Sequence, residues 1–219
     1  MKEGREKFLT DGYLLVENVL SVDDIGVLQS KIQALPEGLF KIKAGTRNLL
    51  STQWCKILAN KVKNHPAIQS LLPSDSRAVQ CTYFCKTENA NWLVAPHRDK
   101  AIPVSQRISS PHWTAWSVKE GVRYAQPPRE VLEQLLAVRL HLEANTVHNS
   151  PLRIVPGSHT SAGSVRPEVA CIIGAGGAVV MRPLALHASS KLLQGNRRVL
   201  HFLFGPRQLP DGAVWATIT

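Results

Sequence analysis

The chain has 219 residues, 44% of them hydrophobic, and its 26 Lys and Arg against 16 Asp and Glu leave a formal charge of +10. Such a chain is long enough for one domain, 1–219, around one core, and its balance excludes a low-complexity or disordered polymer. No apolar run approaches the roughly 18 residues of a membrane span, and the basic start lacks the apolar stretch and cleavage site of a secretory signal.

The four cysteines, Cys55, Cys81, Cys85 and Cys171, form no CxxC pair and are too few for a disulfide framework, so reduced thiols and a cytoplasmic location are expected. Lys and Arg are scattered, with no block of like charge and no interleaving with aromatics. A small anionic partner suits this charge better than nucleic acid or a membrane, and the oligomeric state is left open.

Residues 12–21, GYLLVENVLS, read as a short strand running into a helix start, with Ser21 as N-cap and Asp23 and Asp24 in the first turn. Ile25, Leu28, Ile32 and Leu35 then recur at helical spacing, and Pro36 follows the helix end. Residues 52–64 repeat the pattern through Trp54, Ile57, Leu58 and Val62, and 66–73 suggest a further short helix. After residue 77 the character changes. The stretches 78–86, 136–143, 151–157, 176–186 and 198–205 are short runs rich in Val, Leu, Ile, Phe and Tyr, punctuated by Gly, Pro and Asn. Helices first and strands afterwards predict an α+β protein, and many short antiparallel strands predict a jelly-roll-like barrel. Residues 103–129 read as a long loop carrying Trp113, Trp116 and Lys119, of the kind that forms a lid.

One constellation carries chemistry. On a strand, His97 and Asp99 share a face, so the H-x-D presents an imidazole and a carboxylate together. A second histidine from a distant strand completes two His and one carboxylate, the set that leaves positions open on a non-haem iron. His187 fits, following the apolar AVVMRPLAL and preceding a polar loop. His141 and His201 alternate with apolar residues inside strands and read as structural, while His65, His112, His148 and His159 lie in loop-like contexts. A 2-oxo acid chelated by such an iron needs a cation for its far carboxylate, and arginine's planar fork suits it. Arg197 and Arg198 both stand at the head of the last strand. Alternation favours Arg198 modestly, because its partners Leu200, Phe202 and Phe204 form the more apolar face, expected to point into the barrel. Ser189 shares the face of His187 and offers a hydroxyl to the same carboxylate.

These residues resemble the phytanoyl-CoA dioxygenase family of Fe(II)/2-oxoglutarate-dependent oxygenases over nearly the whole chain. The likeness lies in DGYLLVENVLS near the start, TRNLLS at 46–51, FCKTENANWLVAPHRDKAIPV around the H-x-D, VRLHLE, NSPLRIVPGSHTSAGS at 149–164, and MRPLALHASS with RRVLHF, where His187 and Arg198 stand eleven apart. The resemblance implies a double-stranded β-helix (a cupin-like jelly roll) with helices packed outside, mainly from the N-terminal third. It implies His97, Asp99 and His187 as iron ligands, and it settles Arg198 over Arg197 as the partner of the distal carboxylate of 2-oxoglutarate, with Ser189 assisting. Fe(II), 2-oxoglutarate and O2 are the implied cofactor and co-substrates, and His159 belongs to a structural turn beside the site. The chain departs from the family pattern at Pro96, where an aromatic is expected, and at Arg98, where Gln is usual; both bear on the substrate side. Asp99 is present where related halogenases carry a small residue, so hydroxylation of an unactivated C–H of a small metabolite is the expected reaction, and phytanoyl-CoA itself is not implied. Arg47, Lys86, Asn91, Arg107, Trp116, Lys119 and Arg153 are the candidate substrate contacts. The rival readings are a nucleic-acid-directed oxidative demethylase and a non-catalytic barrel that keeps the fold.

Overall fold

The computed structural model describes residues 2–36, 45–160 and 166–219; the end of the 149–164 motif, from 161, lies outside them. The first third is helical around two short strands: α1 (Lys2–Asp11), β1 (Tyr13–Val16), α2 (Val22–Gln33), β2 (Gly45–Thr46), a 3-10 turn (Leu49–Ser51), α3 (Gln53–Lys63) and α4 (Pro66–Gln69). Strands dominate afterwards: β3 (Arg77–Lys86), β4 (Val94–His97), β5 (Ile102–Val104), β6 (Thr114–Lys119), β7 (Val122–Gln126), then α5 (Arg129–Gln134), β8 (Leu136–His141), β9 (Leu152–Ile154), β10 (Val169–Ala170), β11 (Ala178–Met181), β12 (His187–Ser189) and β13 (Arg197–Gly205).

A six-stranded antiparallel sheet runs β1-β11-β8-β13-β3-β2, and a four-stranded one runs β10-β9-β12-β4. From β3 onward the chain passes back and forth between the two, with β3, β8, β11 and β13 in one and β4, β9, β10 and β12 in the other, the wrapping of a double-stranded β-helix, and the α+β expectation holds. Long β13 is the hinge of this architecture, paired with β3 along one side and β8 along the other. Its alternation decides what each face meets. Leu200, Phe202 and Phe204 are fully buried in the core that also holds Phe8, Leu28, Leu58 and Val62 from the helices. Arg197, His201 and Leu203 face the other way, into the space between the sheets. Among the described residues no helix is long and apolar enough to cross a membrane.

Helix α2 begins as the sequence indicates. Ser21 Oγ accepts from the Asp24 N–H at 3.1 Å, and Asp24 Oδ2 accepts from the Ser21 N–H at 2.9 Å, a reciprocal capping box. Lys61 Nζ of α3 donates to the same carboxylate at 2.6 Å. That bond, then those from Ser21, lowers Asp24 to about 2. A depressed carboxyl stabilises the fold above its unfolded pKa and loses that contribution as pH falls through the folded value. Asp24→Ala is therefore expected to cost about 1 kcal/mol at neutral pH. In urea titrations against wild type, the difference should shrink between pH 4 and 2.

The 103–129 segment corrects an expectation. It is no unstructured lid: β5, β7 and β6 form a separate three-stranded sheet. Strands β6 and β7 join through Glu120 and Gly121, with φ of 49° and 78° and Lys119 opposite Val122. Positive φ at both central residues gives a two-residue turn matched to strand twist. Helices α1 and α5 are further elements that the sequence pattern does not predict. The 176–186 run divides, with β11 ending at Met181 and a turn leading to His187.

Candidate active site

Strands β12 and β4 lie side by side with His187 in register with His97. Asp99 stands two residues past His97, where its N–H donates to the Pro183 carbonyl at 2.9 Å, so the turn before β12 fixes the segment after β4. The result is one cluster. Asp99 Oδ1 lies 3.4 Å from His97 Nε2 and Oδ2 lies 3.5 Å from His187 Nε2, and the three donor atoms all fall within 4.8 Å of one another. Each imidazole turns its Nδ1 to a carbonyl two residues back, His97 to Ala95 and His187 to Ala185, both at 2.9 Å. With Nδ1–H donating there, Nε2 of each ring is aimed at the cluster and offers its lone pair to a cation once its proton is released, the support typical of metal-binding histidines. Two imidazoles, each tied from behind, and a carboxylate on one side of a shared point fit an Fe(II) ion with open positions.

The charges are arranged to match. Asp99 is 40% exposed into the space between the sheets, yet protein surrounds it. Burial pushes its carboxyl up, but the bond with His97 and the nearness of His187 and His201 outweigh this and hold it well below the usual range. Asp99 in turn raises His97, whereas burial lowers His187.

The triad opens on a cavity of about 420 Å³ between the sheets. Its inner wall is cationic. Arg197 of β13, 3% exposed, donates from Nη1 to the Ser150 carbonyl, and its Nε has no partner. Arg139 of β8 donates from Nη1 to Nδ1 of His201 at 3.2 Å, and its Nε is likewise unpartnered. Lys86, opposite Arg197 in register, sends Nζ to Ser150 Oγ and Ser189 Oγ, both at 3.0 Å, and to the Ser190 carbonyl at 2.7 Å. Burial, then the neighbouring arginines, lowers Lys86 to about 7; burial and Arg139 lower Arg197 to about 9. Groups strained in this way are relieved by an anion.

Arg198, the sequence's choice for that role, is not among them. It lies on the helix side of β13, where its N–H donates to Glu143 Oε2 at 2.7 Å and its Nε pairs with Oε1. The apolar face of β13 is covered by helices and is not the barrel interior, so the polar face, with Arg197 and His201, lines the cavity. Ser189 is where the sequence reading put it, on the cavity wall two residues after His187.

The family model for phytanoyl-CoA dioxygenase matches residues 8–199. The chain belongs to the phytanoyl-CoA dioxygenase family of Fe(II)/2-oxoglutarate-dependent oxygenases. Solved structures share the fold at low identity. HygX from Streptomyces hygroscopicus, with nickel and 2-oxoglutarate bound, is 13% identical over 96% of this chain and 89% of its own, with a TM-score of 0.69. The α-ketoglutarate-dependent epimerase SnoN of nogalamycin biosynthesis is 18% identical over 96% and 86%, TM-score 0.67. Apo EctD from S. alaskensis is 16% identical over 94% and 77%, TM-score 0.68. None of the curated proteins matches.

Within this family fold the seven candidate substrate contacts separate. Arg47 and Lys119 line the cavity. Lys86 is wholly buried behind Ser189, with its ammonium 5.0 Å over the Trp92 ring, so it belongs to the inner wall and not to the entrance. The other three polar candidates and Trp116 lie off the cavity and have structural partners. Asn91 exchanges hydrogen bonds with the backbone of Leu192, at 3.1 and 2.7 Å. Arg107 covers the ring of Trp116, whose indole N–H donates to the Trp113 carbonyl at 3.0 Å. Arg153 faces Glu168 at 2.9 Å. His201, read as structural, does line the cavity, where burial lowers it to about 3 and leaves it neutral to accept from Arg139. Arg139 went unread. Its signal was available: VRLHLE sets Arg139 and His141 at alternate positions of an otherwise apolar strand, and a buried face carrying charge needs a reason.

Proposed function

We propose that the chain is an Fe(II)- and 2-oxoglutarate-dependent oxygenase that hydroxylates an unactivated C–H of a small molecule. The supporting observation is the His97–Asp99–His187 cluster with both imidazoles tied through Nδ1. These three residues hold the iron. Once bound, iron with 2-oxoglutarate and O2 supplies the oxidising chemistry, 2-oxoglutarate leaving as succinate and CO2.

The protein's own residues bind and orient. Arg197 and the Ser189 hydroxyl receive the distal carboxylate of 2-oxoglutarate, with Lys86 holding Ser189 in place and adding charge. His201, neutral at working pH, aims Arg139 along the same wall. Phe84, Leu152 and Leu203 line the cavity with apolar surface and keep water from the reacting carbon. The relatives include an epimerase and a carbocyclase, so the product decides the reaction type. Incubation with ferrous iron, 2-oxoglutarate and a metabolite panel should yield succinate coupled to a product heavier by one oxygen. A product of unchanged mass, or lighter by two hydrogens, rejects hydroxylation while leaving the iron site standing. No succinate with any substrate rejects the enzyme.

A further inference from the structure

Six cationic side chains line the cavity, Arg47, Arg98, Lys100, Lys119, Arg139 and Arg197, and Asp99 is the only carboxylate among the described residues lining it. Iron(II) with dianionic 2-oxoglutarate is neutral as a pair, so loading the site as proposed above leaves this imbalance in place. Arg139 and Arg197 belong to the inner wall. Of the remaining four, Arg47 and Lys119 stand beside an unpartnered hydroxyl. The Tyr124 OH on β7 is buried without a hydrogen-bond partner, on a residue 3% exposed. Lys119, at the end of β6, sets its ammonium 5.0 Å over the Tyr124 ring. Burial pushes the phenol up to about 12, against the opposing charge of Arg47, so it is a donor at neutral pH. Arg47 is held from behind: its Nη1 donates to Glu120 Oε1 at 3.0 Å and its N–H to Oε2 at 2.8 Å, while Asn48 Nδ2 donates to the Glu120 carbonyl at 3.2 Å. The hairpin turn is thus clamped to the chain after β2, and the clamp fixes Arg47, Lys119 and Tyr124 as one group.

We infer that this group is the substrate's anion site. The substrate of the proposed oxygenase carries an oxyanion, carboxylate or phosphate ester, seated by Lys119, the free donors of Arg47 and the Tyr124 hydroxyl, with its oxidised carbon directed to the triad. The inference rests on the oxygenase reading for the triad's role. Charge selects the substrate class: a neutral analogue leaves the buried Tyr124 donor unpartnered and Lys119 without a counter-charge, which rejects it more strongly than any apolar mismatch.

The test is calorimetric titration of the nickel- and 2-oxoglutarate-loaded protein with inorganic phosphate in one arm and propionate in the other. At least one should bind, and the arm that binds names the anion. Lys119→Met should weaken it roughly tenfold or more, the loss of a hydrogen bond to a charged group, and Tyr124→Phe by a smaller factor. Lys61→Met on α3, away from the cavity, should change nothing, and 2-oxoglutarate affinity should be the same in all variants. Binding of neither probe, or wild-type affinity in both Lys119→Met and Tyr124→Phe, overturns the inference. Failure of 2-oxoglutarate itself to bind the nickel protein would instead reject the oxygenase reading.

Discussion

His187→Ala should abolish 2-oxoglutarate turnover and Fe(II) affinity together, with turnover down roughly 1000-fold or more. Losing only a ligand's supporting partner costs about 10–100-fold, and this change removes a proposed ligand itself. His187 is buried, its Nδ1–H is held by the Ala185 carbonyl, and it stands 4.3 Å from His97 between ring centroids. Its Nε2 therefore has no task in the fold except toward Asp99 and whatever the cluster holds. Alanine removes the Nε2 donor and the backbone anchor at once, and the remaining His97–Asp99 pair cannot enclose an ion. Succinate formation and Fe(II) titration, read beside a thermal melt that confirms folding, measure it. Unchanged Fe(II) affinity in a folded variant would falsify the triad.

The sequence made the triad legible because its geometry is local in two places. An H-x-D at a strand end keeps its two donors near each other whatever the rest of the chain does, and His187 ends an apolar approach that only a buried strand explains. The helices of the first third were legible for a similar reason: periodicity at Ile25, Leu28 and Ile32 and the Ser21–Asp24 cap depend on near neighbours alone. What alternation could not tell is which side of β13 faces the cavity. Period two divides Arg197, Val199, His201 and Leu203 from Arg198, Leu200, Phe202 and Phe204, but both faces are buried, one by helices and one by the second sheet. The more apolar face met the helices, since packing against α1–α3 demands it, and the polar face was free to build a site. The β6–β7 hairpin was readable in principle from Glu120–Gly121 between two alternating runs. Aromatic and basic residues spread along 103–129 gave the look of a loop, and only the turn's left-handed backbone marked it as a hairpin.

That ambiguity yields the second large effect. Arg197→Gln should raise the KM for 2-oxoglutarate by roughly 30-fold or more, as truncating one partner of a buried charge pair costs about 2–5 kcal/mol. Arg198→Gln should leave that KM within about twofold and cost no more than about 1 kcal/mol of stability, since its pair with Glu143 is partly solvent-exposed. The contrast matters more than either value, because the two residues are adjacent and share a strand, a charge and a substitution, so nonspecific damage should strike both alike. Steady-state turnover at varied 2-oxoglutarate, with urea titrations of both variants, separates them. The reverse result, with Arg198→Gln losing 2-oxoglutarate and Arg197→Gln keeping it, would mean that β13 presents its other face to the co-substrate. The inner wall of Arg139, Arg197, Lys86 and Ser189 would then lose its role, while the triad on β4 and β12 would stand, because no residue of β13 contributes to it.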